Sequence, residues 1–395
     1  MDGVLSNLLN IFWRFFALGC ISFGGPAAHI GYFQATFVKR LKWLSQENYA
    51  TLVAASQFLP GPGSSQVGFA IGLHRAGLAG GLTAFLGFTL PSFCIMLALA
   101  NYMHLPTAAQ WVHNIITGLM LLAVAVVADA ILTMAQQFCR TVVTRWMALA
   151  VAVILLCVNS VYSQIVLLSV AAFIGFVGQR HFARGAILAP VQRRYVKTTI
   201  ALTIFVILFI ASALVRYFYP DMALGVFDIA GRFYQSGSLV FGGGHVVLPL
   251  LQQNLGTSVT PDAFLLAYGA AQGVPGPMFS IATFLGANMM PDSPLTGACV
   301  ATISIFLPGL LLMYALHQQW AVLSARPAFN GAMAAINAAV VGLLFSAWVN
   351  PVVSHAMQQY SDALLVLVLL VLYRFLKWPV LLIMLLACAY TSILR

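Results

Sequence analysis

Five stretches of this sequence, near 80–102, 113–135, 197–218, 295–317 and 329–349, stay apolar over the ~20 residues that an α-helix needs to cross a bilayer. Two tighter pairs, 146–158 with 161–179 and 362–376 with 378–393, are split at Asn159-Ser160 and Lys377-Trp378-Pro379, both turn signals. Only 7% of the residues are charged, too few to cover the surface of a soluble chain of 395 residues. Barrel strands would alternate in polarity over about ten residues, and these runs do not. The sequence predicts an all-α integral membrane protein.

The net charge of +10 does not point to nucleic acid, because the basic residues sit in short loops between apolar segments, where they set orientation. The six cysteines form no CxxC pair, so neither a zinc site nor a disulfide framework is expected. No Walker A, GxSxG or HExxH motif occurs, so no ATP-driven pump, enzyme, metal or cofactor is expected. Met1–Leu18 carries Asp2 and Arg14 and does not read as a cleavable signal peptide.

The chain repeats itself. Phe23-Gly24-Gly25-Pro26 returns as Phe241-Gly242-Gly243-Gly244, and Gln57-Phe58-Leu59-Pro60-Gly61-Pro62 returns as Gln272-Gly273-Val274-Pro275-Gly276-Pro277. Arg14 matches Arg232, Pro91 matches Pro308, and Gly118 matches Gly331. Two homologous halves, 1–180 and 226–395, are thus joined by a basic loop and one apolar helix at 181–225. The openings of the halves, 8–75 and 226–290, hold apolar pieces too short to span, and read as broken or re-entrant half-helices. Lys39, Arg40, Lys42, Arg75, Arg140, Arg145 and the 180–197 cluster share one cytoplasmic side if 8–75 makes no net crossing. The single joining helix then turns the second copy over, giving an inverted-topology repeat.

Paired breaks inside apolar segments point to a transporter binding site. The amides freed at a half-helix start, with the positive end of the dipole, favour an anion. This nominates Gly24, Gly25, Pro26, Gly242, Gly243, Gly244, Pro60, Gly61, Pro62, Pro275, Gly276 and Pro277. Gly and Pro also kink and pack membrane helices without any ligand, but the ordered duplication favours a site.

The stretches "RFFALGCISFGGPAAHIGYFQATFV" and "ASQFLPGPGSSQVGFAIG" resemble signature segments of the chromate ion transporter family. "YQSGSLVFGGGHVVLPLLQQ" and "AYGAAQGVPGPMFSIATFLG" resemble their counterparts in its C-terminal half. The resemblance spans essentially the whole chain. It implies the long two-half form of the family, with halves of opposite orientation, exporting chromate and conferring chromate resistance. Sulfate is close to chromate in shape and charge. Gly244 departs from the pattern, standing where copy one has Pro26.

Among single residues, Arg14 and Arg232 are candidate anion ligands, or arginines snorkelling to an interface. Lys39, Arg40 and Lys42 would make an entry funnel, although topology alone accounts for them. His29 and His245 are oxyanion donors, proton carriers or packing residues. Asp129 is a proton carrier, an arginine's partner, or an acid snorkelling from near its helix end. Gln57 and Gln272 are neutral donors for an anion or helix–helix bonds. The expected protein is a secondary transporter of chromate, and of sulfate as a further candidate, in the bacterial inner membrane. Its partners would be the oxyanion, lipid and a second copy as a homodimer. An anion channel and a membrane enzyme acting on a phosphate-bearing lipid are the alternatives; acids near the motifs (Glu47, Asp262) are sparse for the latter.

Overall fold

The computed structural model describes residues 2–23, 25–103, 110–158, 161–178, 195–218, 225–241, 244–317, 320–323 and 326–394. Gly24, Gly242 and Gly243 lie outside the described residues, as do Arg180, Arg184, Arg193, Arg194 and the Asn159-Ser160 turn. The described residues are helical and contain no strand. Five of their helical segments are long and apolar enough to cross a membrane: Gly63–Tyr102, Thr117–Phe138, Thr198–Val215, Pro294–Leu316 and Pro327–Ala356. These overlap the five stretches expected from the sequence.

The chain forms two compact units, and each draws on both sequence copies. The first comprises Met1–Pro106, Arg193–Gly244 and Ala270–Gln318. Copy one supplies α1 (Asp2–Ile21), α2 (Gly25–Phe33, continued as a π-helix over Gln34–Arg40), α3 (Gln46–Phe58) and α4 (Gly63–Met103). The joining helix is α5 (Tyr195–Phe218), whose large apolar side chains are mostly exposed, as suits a lipid-facing helix. Copy two supplies α6 (Val226–Leu239), then, after a 3₁₀ turn at Met278–Ser280, α7 (Ile281–Met289) and α8 (Pro294–Leu316).

Helix α4 is two helices joined at a kink, with non-helical backbone at Ala76 and Gly77. Its first part, 63–75, folds back on the rest, with Gly72 and Gly80 backbone to backbone. In copy two, α7 folds back on α8 through Gly286 and Gly297 in the same way. Only small residues allow helices this close. The repeat also governs neighbouring contacts: α1 rests on α4 where Gly19 meets the Phe88 carbonyl, and α6 rests on α8 where Gly237 meets that of Ile305.

The α3 and 63–75 helices form a re-entrant hairpin. Helix α3 has 13 residues, about 20 Å by helical rise, too short for ~30 Å of hydrocarbon. At its mouth the Arg75 guanidinium sits 5.2 Å from the centroid of the Trp43 ring. Trp43 precedes α3 and Arg75 ends the second helix, so the chain enters and leaves on one side. That keeps Lys39, Arg40 and Lys42 with Arg75, as the charge pattern required.

The second unit comprises Thr107–Gln192, His245–Gly269 and Gln319–Arg395. It contains α9 (Gln110–Phe138), α10 (Val142–Cys157), α11 (Val161–Val177), α12 (Val247–Leu255), α13 (Pro327–Ala347), α14 (Tyr360–Arg374) and α15 (Val380–Leu394). The long helix of each copy packs on the tail pair of the other. Helix α13 meets α10 where Gly342 touches the Ala148 carbonyl, and α11 where Gly331 touches Gly175. Helix α9 meets α15 where Gly118 lies against Ala387 and Cys388, and there Thr391 donates to the Asn114 carbonyl at 2.6 Å. It meets α14 through an ion pair, Arg374 Nη1 to Asp129 Oδ1 at 2.6 Å, with Thr133 as a further acceptor at 3.2 Å. Asp129 therefore has an arginine partner, Arg374. The pair also holds the ends of α9 and α14 level, as the charge-derived orientation requires.

Both side chains of that pair are about one-fifth exposed, so each is partly desolvated and has its countercharge. We expect Asp129→Asn and Arg374→Gln to lower thermal stability singly, and the double variant to lose less than their sum. A coupling of about 1 kcal/mol is expected, between exposed and buried cases. Unfolding of the purified chain in detergent measures it; additive losses would show that the pair contributes no coupling.

Candidate functional site

The site is built from the residues that end and restart helices in the first unit. Helix α1 ends at Ile21 and α6 at Leu239, leaving the carbonyls of Ser22 and Val240 without partners on their own helices. Inside a membrane such groups need partners from protein. The Gly61 amide donates to the Val240 carbonyl at 2.8 Å, and the Gly276 amide donates to the Ser22 carbonyl at 3.0 Å. The Pro-Gly-Pro tip of each copy therefore satisfies the broken helix of the other.

The tips need glycine there. Gly61 has φ +119° and Gly276 has φ +106°. A Cβ on Gly61 would lie 2.7 Å from the Gly309 Cα, and one on Gly276 would lie 3.0 Å from the Ser92 Oγ. Gly309 and Ser92 follow the matched prolines Pro308 and Pro91. Each tip thus rests on the proline-bearing helix of the opposite copy. A Cβ on Gly244 would lie 3.6 Å from Pro26, its own counterpart. Exchange of partners about a self-matched contact is the mark of a pseudo-two-fold axis.

The symmetry holds for backbone and fails for side chains. In copy one, Pro26 lies in the first turn of α2, where a missing N–H costs little. In copy two, Gly244 opens a 3₁₀ turn, Gly244–Val246, before α12 begins at Val247. Tip one leads directly into helix, and the first helical bond runs from the Gln66 amide to the Pro62 carbonyl at 2.9 Å. The amides of Gly63, Ser64 and Ser65 have no acceptor among the described residues. Tip two leads instead into Met278-Phe279-Ser280, whose Ser280 amide bonds Pro277 at 3.0 Å.

Two buried side chains brace tip one. Gln66 donates from Nε2 to the carbonyls of Pro60, at 2.9 Å, and Gly309, at 3.1 Å. His29 lies 3.1 Å from the Ser22 carbonyl through Nε2, which must donate. In the neutral ring, Nδ1 then accepts from the Ser64 hydroxyl at 3.2 Å. The Ser22 carbonyl so receives both His29 and Gly276. Beyond His29, a column of rings runs through Phe88, Phe33, Phe15 and Phe37 to Trp43 at the hairpin mouth.

The other candidates are dispersed. Gln57 is half-buried on α3, and Gln272 donates to the Met278 sulfur at 2.9 Å. His245 belongs to the second unit, where its Nδ1 lies 2.7 Å from the Tyr268 hydroxyl, and Asp129 belongs there too. Arg14 is exposed and bonds Asn10 at 3.4 Å, while Arg232 pairs with Asp228 at 2.8 Å. These matched i−4 partners are neutral in copy one and acidic in copy two. Lys39, Arg40 and Lys42 are exposed near Arg75. Ser64, Ser65 and Gln66 were not anticipated. Their signal was a polar Ser-Ser-Gln directly after a Pro-Gly-Pro-Gly break, where copy two has Phe279-Ser280-Ile281.

The profile of the chromate transporter family matches residues 9–176 and again 227–392. An uncharacterized transporter of Methanocaldococcus jannaschii is 28% identical over 396 residues, covering 96% of this chain and 93% of its own length. A chromate transport protein of Pseudomonas aeruginosa is 26% identical over 352 residues, 85% of this chain and 79% of its own. One of Cupriavidus metallidurans is 23% identical over 348 residues, 86% and 82% respectively. No solved structure matches the chain. The two matched regions are the two copies whose breaks tie each other together, and the chain, a multi-pass membrane protein, belongs to the chromate transporter family.

Proposed function

We propose that this protein is a secondary transporter that exports chromate across the bacterial inner membrane, holding the anion at half-helix N-termini among the crossed breaks. The observation that carries this reading is the bare helix start at Gly63–Ser65, fixed within a tip braced by both copies. Free amides and the helix dipole favour a tetrahedral oxyanion there. The names of the Pseudomonas and Cupriavidus relatives supply the anion. Sulfate, close in shape and charge, is the competitor to test against it. The exposed Lys39, Arg40 and Lys42, with Arg75 at the hairpin mouth, would concentrate anions on the cytoplasmic side. An inside-negative potential favours export by about 2.3 kcal/mol per charge per 100 mV. The ties suit alternating access, because each is a single backbone hydrogen bond that can be exchanged for another partner without leaving its carbonyl bare.

Purified protein in liposomes should give saturable chromate flux that responds to an imposed potential. No flux at any potential would sink the substrate assignment, and flux that never saturates would favour a channel. Gly61→Ala and Gly276→Ala should each cut transport at least about tenfold and cost about 1–3 kcal/mol of stability through forced positive φ. Unimpaired flux through either variant would remove that tie from the transport cycle.

A further inference from the structure

We infer that the tip of the copy-one hairpin binds a tetrahedral oxyanion in its monoprotonated form, with Ser65 and Gln66 as side-chain ligands. This rests on the transport reading above and narrows it to one terminus and one protonation state. The orientation of the Gln66 amide is fixed by chemistry, since only its NH₂ group can serve the carbonyls of both Pro60 and Gly309. Oε1 is then a fully buried acceptor with no donor among the described residues. The Ser65 hydroxyl, on a residue 2% exposed, likewise has no partner among them. Helical side chains lean toward their helix N-terminus, so this hydroxyl stands over the turn that carries the free amides of 63–65.

The terminus therefore offers several donors and one bare acceptor. A fully deprotonated oxyanion has only acceptor oxygens and leaves Oε1 unpaired and repelled. A monoprotonated one gives its O–H to Oε1 and its remaining oxygens to the amides and Ser65. Unpaired buried polar groups are how sites reject near-isosteres. Chromate takes up a proton in the near-neutral range and sulfate does not, so this arrangement separates two anions of nearly equal size. Copy two places Phe279, Ser280 and Ile281 at the corresponding positions, so it does not repeat this arrangement. His29 is the titratable group that bonds into it, through Ser64. Glu47 and Arg75 lie at the far ends of the two hairpin helices.

Equilibrium dialysis of chromate against the purified full chain, from about pH 6 to pH 9, tests this. At high pH the apparent affinity should fall about tenfold per unit, following the monoprotonated fraction, and equimolar sulfate should displace little. The same profile should persist in His29→Gln. Ser65→Ala should weaken binding at least about tenfold, Ser65→Thr should retain it, and Ser280→Ala should leave it unchanged. Affinity independent of pH, equal competition by sulfate, or a profile that vanishes in His29→Gln would overturn the protonated ligand while leaving chromate transport standing. A Ser65→Ala chain with unchanged melting and unchanged binding would move the ligand off this terminus. A wild-type chain that binds neither anion would take the transport reading down as well.

Discussion

The structure depends on how two stranded carbonyls are satisfied. A helix interrupted within hydrocarbon exposes backbone groups that water cannot reach, and each unpaired group costs several kcal/mol. Ser22 and Val240 carry such carbonyls, and the amides that serve them come from Gly276 and Gly61 of the opposite copy. The Val240 carbonyl takes its donor from the other copy, and the Ser22 carbonyl shares Gly276 of the other copy with His29 of its own. The first unit therefore draws on both copies, and the two ties hold their broken helices together.

The same exchange recurs in the second unit through packed helix faces. Gly118 and Gly331 each bring a long helix against the tail pair of the other copy, so close packing does there what hydrogen bonding does at the tips. Interleaving by two kinds of force explains why the compact units cut across the two matched regions of the sequence. Similarity along the chain records the repeat; contacts record the partners that the repeat has to find.

This distinction separates what was legible in the sequence from what was not. The five spans follow from length and apolarity, and the breaks at 59–62 and 274–277 follow from Gly and Pro chemistry. The re-entrant first hairpin was legible as pieces too short to cross. The ties were not, because their acceptors are main-chain carbonyls of Ser22 and Val240, and no side chain marks a main-chain acceptor. Arg14 and Arg232 have Asn10 and Asp228 one turn back, partners that the i−4 spacing makes readable in the sequence. Ser64 and Gln66 carry no repeat signal because the copies differ there, and Ser65 matches Ser280 only as an isolated serine.

Those differences have a physical logic. The pseudo-symmetric contacts fall on glycine amides, carbonyl oxygens and proline-bearing helices, where substitution is punished by strain or an orphaned polar group. Side chains beside them do not carry the ties, and there the copies diverge: Pro26 against Gly244, Ser-Ser-Gln against Phe-Ser-Ile, Asn10 against Asp228. A repeat with identical chemistry in both copies would offer an anion two equivalent termini facing opposite sides, and equal standing in either direction. Polar donors and a bare acceptor in one copy, with apolar packing in the other, break that equivalence without disturbing the backbone exchange. Symmetry in this protein is a property of the frame, and preference for a ligand or a direction has to arise from the side chains that escaped it.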